Sequence, residues 1–368
     1  MAREGFMIGD PALLRRLNVV AVLRALHAAD ELTFTELVRS SQLSRPTVEE
    51  IVSDLEQQGL AEEVRPAPDG PRPVGRPAKR YRFRPEAGHL AGVDIGPHKV
   101  LCLVTDLRGD IVSSARAEVD PEMSAADRLA TARTVIERAT EGRELRALGV
   151  GTTGVVSGGR VVVSDRLPDW QGLDLAGELG EVGRQVLVGN DTKLAALAEH
   201  WRGAARSVGD VIYLLVGRSI SVGVLIGGRL HLGHHGGAGE IGVLREVGWY
   251  TALDRVRSYG PERLFAAVRA GDPEAATIVT AFVKDLATGV AATVLTVDPQ
   301  LVVIGGGLSQ AGDLLAEPLR AELSRLCLFP VQVETSVLGD ESVALGAVRL
   351  ALDRVEEELF SVAEMTPA

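Results

Sequence analysis

The stretch LAGVDIGPHKVLCLVTDLRGDIV, residues 90–112, decides how the rest of the chain is read. Two apolar runs flank the turn at Gly96-Pro97-His98, and a third begins after the turn DLRGD. Runs punctuated in this way predict a hairpin extended by one more strand. Nearly the same layout returns in VIYLLVGRSISVGVLIGGRLHLG, residues 211–233. Helical periodicities cover residues 124–141, 191–204 and 272–296, and LVVIGGG at 301–307 reads as a later strand followed by another helix. Repeated βββαβα units predict an α/β fold of two similar lobes, with a cleft between them in which a ligand can sit.

Ahead of Pro85 the pattern is different. Leu17, Val20, Val22, Leu23 and Leu26 mark a first helix, Phe34, Leu37 and Val38 a second, and Val48, Ile51, Val52 and Leu55 a third. Ser44 is a good cap for the third helix, Pro46 suits its first turn, and Gly59 ends it. A short helix, a tight turn and a capped third helix predict a helix-turn-helix, whose third helix would enter the major groove through Ser44, Arg45 and Thr47. Glu49, Glu50 and Asp54 make the rest of that face acidic and should point away or limit affinity. The following LAEEVRPAPDGPRPVGRPAKRYRF, residues 60–83, reads as strand, flexible tip, strand: a wing. Arg76, between Gly75 and Pro77, suits a narrow minor groove, and Lys79 and Arg80 join it as candidate phosphate contacts. A solvated basic linker and a small protein–protein module are the competing readings.

Charge supports the division. From Arg65 to Arg84 seven basic residues face the single acid Asp69, a net +6 in a chain whose total is −11, so the remainder carries −17. A basic segment on an acidic body suggests double-stranded DNA as a partner for one local patch, not for the whole surface. The 368 residues, 46% of them hydrophobic, suffice for two or three cores. No uncharged apolar run reaches the roughly 18 residues of a membrane span, and MAREGFMIGDPALLRR lacks the apolar centre of a secretory signal, so a cytoplasmic location with no membrane partner is expected. Cys102 and Cys327 sit in apolar stretches and offer neither a disulfide framework nor a zinc site.

The body of the chain resembles the ROK proteins (repressors, open reading frames, kinases). The first hairpin is similar to their first phosphate loop, TTGVVSGGRVVVSDRLPDWQGLDL (152–175) to their sugar-lobe segment, and VGNDTKLAALAEHW (188–201) to their sugar-contacting helix start; GGAGEIG (236–242) and VVIGGGLSQAGDLLAEPLR (302–320) match two further signatures. The resemblance implies a two-lobed actin-like, ribonuclease H-like sugar-kinase fold over residues 86–368, behind an all-α winged helix-turn-helix domain at 1–85. It also implies that Asp191 stands where the kinases have their catalytic base, and that Asn190, Asp191, Glu240 and Gly154 lie at the sugar site. An Asn-Asp pair that follows a strand and opens a helix is equally a plain helix cap.

Several positions depart from the family pattern. Where the family continues Gly-Glu-Ile-Gly-His into a zinc-binding cysteine cluster, Val243 takes the histidine position and LREVGWYTALDRV holds no cysteine, so no metal is expected. His231, His234 and His235 read as loop residues. Arg166 replaces a sugar-contacting asparagine and either offers its fork to a sugar acid or phosphosugar or folds outward to pair with Asp165 or Asp169. The phosphate loop begun by Asp94 and Gly96 continues with Pro97 and His98, and GRSISVG puts Arg218 and Ile220 where backbone should approach phosphate, so no nucleotide cofactor and no kinase activity are expected. The expectation is a transcriptional regulator acting as a homodimer or homotetramer on operator DNA, answering to a sugar-like effector. A working kinase that also regulates, and a ligand-independent regulator with a vestigial cleft, are the alternatives.

Overall fold

Asp10 starts the first helix, its carboxylate accepting the backbone N–H of Ala12 at 2.9 Å. From there the computed structural model describes residues 10–64, 78–164 and 166–361. They form two compact units. One holds the chain up to His89, the turn Asp106–Asp110 and the residues from Asp353; the other holds Leu90–Thr105 and Ile111–Leu352.

In the first unit α1 (Pro11–His27) buries Val20, Val22, Leu23 and Leu26. Leu17, placed on the core face by periodicity, is instead 45% exposed along with Leu13 and Leu14, because the packed part of α1 begins only at Val20. A two-residue strand, β1 (Leu32–Thr33), leads into α2 (Phe34–Ser41) through a reciprocal box: the Glu36 N–H donates to the Thr33 hydroxyl, and the Thr33 N–H donates to the Glu36 carboxylate. Gln42 stops α2 in the left-handed region, and Ser44 caps α3 (Arg45–Gln57) by accepting the Thr47 N–H at 3.4 Å. The wing strands β2 (Ala61–Val64) and β3 (Arg80–Phe83) pair antiparallel and, with β1, make a sheet of order β1-β3-β2. The wing tip, with Arg76, lies outside the described residues.

In the second unit the two quoted stretches become the hairpins β4 (His89–Ile95), β5 (Lys99–Thr105), β6 (Ile111–Glu118) and, later, β11 (Val211–Val216), β12 (Ile220–Ile226), β13 (Arg229–Leu230). Between them run α4 (Ala125–Thr140), β7 (Leu145–Thr152), the small hairpin β8 (Val155–Ser157) and β9 (Arg160–Val163), α5 (Leu175–Glu178), β10 (Val186–Asn190) and α6 (Asp191–Arg202). After β13 come α7 (Trp249–Tyr259), α8 (Pro261–Arg269), α9 (Pro273–Val297), β14 (Leu301–Gly305), α10 (Asp313–Leu326), β15 (Gln332–Thr335) and α11 (Ser342–Phe360), whose residues from Asp353 belong to the first unit. The two five-stranded sheets have equivalent orders, β10-β7-β4-β5-β6 and β13-β12-β11-β14-β15 read from the opposite end. In each, an antiparallel hairpin is extended by two parallel strands, β7 and β10 in one and β14 and β15 in the other. The sequence echo is therefore an echo of topology.

Each sheet has its own apolar core. Trp170, wholly buried beside Val93, Val150 and Leu175, donates its indole N–H to the Thr152 hydroxyl at 2.8 Å, so the largest side chain of the first lobe keeps its one polar atom paired. The second lobe is built around α9, whose Val279, Phe282, Leu286, Val290 and Val294 are buried in that core. This helix is long and apolar enough to cross a membrane by composition, yet half of its apolar window is covered by protein and it carries Lys284 and Asp285, as suits a core helix. Between the sheets, α6 packs on β11 and β12 and meets α11 at backbone distance. A Cβ on Gly346 would stand 1.8 Å from the Leu194 carbonyl oxygen, so only glycine fits there.

Candidate functional site

The cleft of the second unit sits at the carboxyl ends of the parallel strands β7 and β10, where Asn190 is in register with Thr152. Crevices at such strand ends are favoured ligand sites because the loops leave there and the following helices point their positive ends inward. A cavity of about 130 Å³ opens at this place, lined among others by Gly154, Arg166, Asn190, Asp191, Glu240 and Tyr250. A water needs roughly 10–15 Å³ by that measure, so the space suits a ligand of about a dozen heavy atoms.

Asn190 does two jobs at once. Its Oδ1 caps α6 by accepting the Lys193 N–H at 3.1 Å, and its Nδ2 donates to the Gly154 carbonyl at 2.9 Å and to Asp191 Oδ1 at 3.0 Å. The helix-cap reading of the pair thus holds without displacing the residues from the cleft. Gly154 has φ +96°, and a Cβ there would lie 2.3 Å from the Val163 carbonyl oxygen, so only glycine lets the loop pass close to β9 while its own carbonyl accepts from Asn190.

Asp191 Oδ1 also accepts the backbone N–H (2.7 Å) and hydroxyl (3.2 Å) of Thr192. No bond from the described residues reaches Oδ2. Burial raises the Asp191 carboxyl to about 6; the Thr192 bonds pull it down, Glu240 pushes it up and Arg166 pulls it down. Asp94 behaves alike. It is 5% exposed, and burial lifts it to about 6 against the pull of Lys99, whose ammonium lies 3.4 Å from its carboxylate.

Sequence reading missed Lys193. Only 2% exposed, it reaches from the first turn of α6 to the loop after β13, donating to the Gly236 carbonyl at 2.5 Å and to Glu240 Oε1 at 3.2 Å. One signal was available: a cation in the first turn of a helix opposes the helix dipole and calls for an anion nearby. Glu240, which lines the cavity, is thus fixed from within the protein.

The residues around Glu240 do not fit a zinc ion. Val243 is 76% exposed, and the run from Trp249 to Val256 forms α7, with Trp249, Leu253 and Val256 buried in the core. Among the described residues no three His, Cys, Asp or Glu side chains are grouped to share a metal, and His234 and His235 are exposed and pack edge to face on each other. Arg166 does not pair with Asp169: it lines the cavity and donates to the Arg218 carbonyl at 3.3 Å, while Asp165 lies outside the described residues. In the first phosphate-loop stretch the buried Arg128 donates to the Gly96 carbonyl at 2.6 Å and to the Asp120 carbonyl at 2.7 Å, holding the turn from below.

In the first unit, Ser44 and Arg45 are exposed at the start of α3 and Thr47 is half-buried. The Arg45 guanidinium lies 4.7 Å from the centre of the Phe34 ring, which fixes its direction. Lys79 and Arg80, the other described DNA candidates, are engaged inside the module with Glu63 at 2.7 Å and Glu31 at 2.8 Å. Nor is the acidic flank of α3 left bare: Arg15 of α1, also missed, bridges Asp54 at 2.6 Å and Glu50 at 3.4 Å.

Sequence comparison agrees with this geometry. The ROK family profile matches residues 90–246 and 249–354, and the MarR family profile matches residues 16–70. The chain is 22% identical to the xylose repressor of Caldicellulosiruptor bescii, over 94% of its own length and 98% of that protein, and 28% identical to the glucokinase of Thermotoga maritima, over 72% and 98%. Among solved structures, a ROK family transcriptional regulator homologous to the E. coli MLC protein superposes with a TM-score of 0.70 at 18% identity, covering 92% of this chain and 97% of that one. Two echoing lobes, a cleft at the strand ends and a winged helix ahead of them thus converge on one assignment: the chain belongs to the ROK family.

Proposed function

We propose that this chain is a transcriptional repressor that holds operator DNA through its winged helix-turn-helix and releases or tightens that hold when a sugar-like effector occupies the cleft. The observation that carries the reading is the pairing, in one chain, of the Ser44-Arg45-Thr47 helix start, exposed at its first two residues, with a cavity lined by Asp191 and Glu240, each with one carboxylate oxygen that takes no bond from the described residues. Carboxylates only accept, and a polyol offers a row of hydroxyl donors. The xylose repressor among the relatives points the same way. An effector changes operator affinity by as much as it prefers one conformation over the other. The protein acts as a homodimer or homotetramer in the cytoplasm, on a palindromic operator.

Phosphoryl transfer is not part of this proposal. The carboxylate at the first loop, Asp94, is committed to Lys99, and Arg218 occupies the second loop, leaving poor means to hold a magnesium nucleotide. The kinase reading keeps one support, Asp191 at the floor of the cavity together with the glucokinase relative. A mobility-shift assay on DNA upstream of the protein's own gene, repeated with sugars, amino sugars and sugar acids, tests the proposal. Absence of any retarded complex would overturn it, and ATP-dependent sugar phosphorylation at enzyme-like rates would favour the kinase.

A further inference from the structure

Leu13, Leu14 and Leu17 project from the first two turns of α1, 38%, 60% and 45% exposed, whereas Val20, Val22, Leu23 and Leu26 further along are buried. Positions 14, 17, 21 and 25 recur at spacings of three and four, so they form one stripe along the helix. Halfway along it the side chains shrink. Ala21 and Ala25, with Leu17, Val20, Arg24 and Ser40 of α2, line an open hollow of about 480 Å³. The stripe thus has knobs in its first half and a depression in its second. Between Asp10 and Asp30 the segment contains no acid, and two of its arginines are held on other faces: Arg15 by Asp54 and Glu50, Arg16 by the carbonyls of Glu358 and Ser361. Arg24, at the rim of the hollow, donates to the Phe360 carbonyl at 3.2 Å and has no carboxylate partner among the described residues. A face whose start matches its own end in shape, with an acid at one end and an unpaired cation towards the other, is complementary to itself about a two-fold axis.

We propose that this stripe is where a second copy of the chain docks, with the two α1 helices antiparallel and Leu14 and Leu17 of each copy lying in the hollow over Ala21 and Ala25 of the other. The inference rests on the operator-binding reading above. In this register Asp10 of one copy stands about one helical turn from the level of Arg24 of the other, within the span of an arginine side chain. The 17 residues of α1 make a contact roughly 25 Å long and about 10 Å wide, roughly a few hundred Å² per copy against the about 800 Å² of a stable interface. Such a contact alone does not hold two copies together in free solution. It forms between copies already held side by side on DNA, and its effect is cooperative occupation of the two halves of a palindromic operator.

The test uses the full chain in mobility-shift titrations on a retarded fragment from upstream of its own gene, intact and with one half of the palindrome scrambled. The double variant Leu14→Glu, Leu17→Glu weakens binding to the intact fragment about tenfold or more and leaves the scrambled fragment's affinity and the melting temperature unchanged. Ala25→Glu, which obstructs the hollow from the other side of the contact, has the same effect. To identify the occupant, chains carrying Leu17→Cys and chains carrying Ala21→Cys are mixed on the intact fragment. They form a disulfide with each other and neither forms one with itself, because positions 17 and 21 face each other across the axis. Unchanged affinity of the leucine variant for the intact fragment, or an equal loss on both fragments, would overturn the inference. So would a loss of cooperativity without the mixed disulfide, since something other than α1 of a second copy would then cover the stripe. If no fragment is retarded at all, the operator-binding reading falls and takes this inference with it.

Discussion

The cleft and the recognition helix use charge in opposite ways. In the cleft the ions are taken out of water: Lys193 is 2% exposed, Asp94 5%, and Asp191 is raised to about 6 by burial. On the winged helix the side chains of the pairs Lys79–Glu63, Arg80–Glu31 and Arg15–Asp54 stay partly in solvent. Buried ions cannot change partners cheaply, so they hold a shape; exposed ones exchange a carboxylate for a phosphate at little cost. A sensor needs the first kind and a DNA-reading surface the second.

The contrast is broken most severely at Lys193. Lys193→Met leaves Glu240 beside a cavity without its cation and frees the Gly236 carbonyl, and should destabilise the protein by about 3 kcal/mol in denaturant titrations. A change of a few tenths would show that the pair is no more than a surface contact.

Next comes Asp191. Its carboxyl lies above the ordinary 3.8 in the fold, so the folded chain holds a proton that the unfolded chain releases. That contribution is fully present below about pH 4 and is lost as pH rises through about 6. Asp191→Asn should therefore be more stable than the parent by about 2–3 kcal/mol at pH 7.5, with the gain gone near pH 4, in paired urea melts. A gain independent of pH would mean that burial of the charge is not the cause.

On the other surface, Arg45→Ala should weaken operator binding by about 1–2 kcal/mol and relax preference at the base it reads, with folding untouched. Retention of the parent's affinity and sequence preference would show that α3 does not dock through its amino end. The smallest effect belongs to Lys79→Ala, which should leave the melting temperature in place and lower the salt slope of DNA binding by about one.

Local signals carried much of the fold. Glycine bends between apolar runs gave both hairpins, because a strand's alternation and its turn lie within a few residues of each other, and Ser44 could be read as a cap from its neighbours alone. The cleft was legible only in part. Asn190, Asp191, Gly154, Glu240 and Arg166 were named and line one cavity. The Lys193 clamp depends on a loop 47 residues further on, which no periodicity encodes. The exposure of Leu17 had the same origin: spacing places a residue on a face, but not whether anything covers that stretch of it.

The end of α11 gives the first unit a further property. Arg16 donates to the carbonyls of Glu358 and Ser361, Arg24 donates to that of Phe360, and the His27 ring packs against both Phe83 and Phe360. The winged helix therefore lacks part of its own footing until residues some 340 positions downstream have left the ribosome. Interrupted translation products, although they would carry the three helices and the wing, would hold a less firmly seated winged helix.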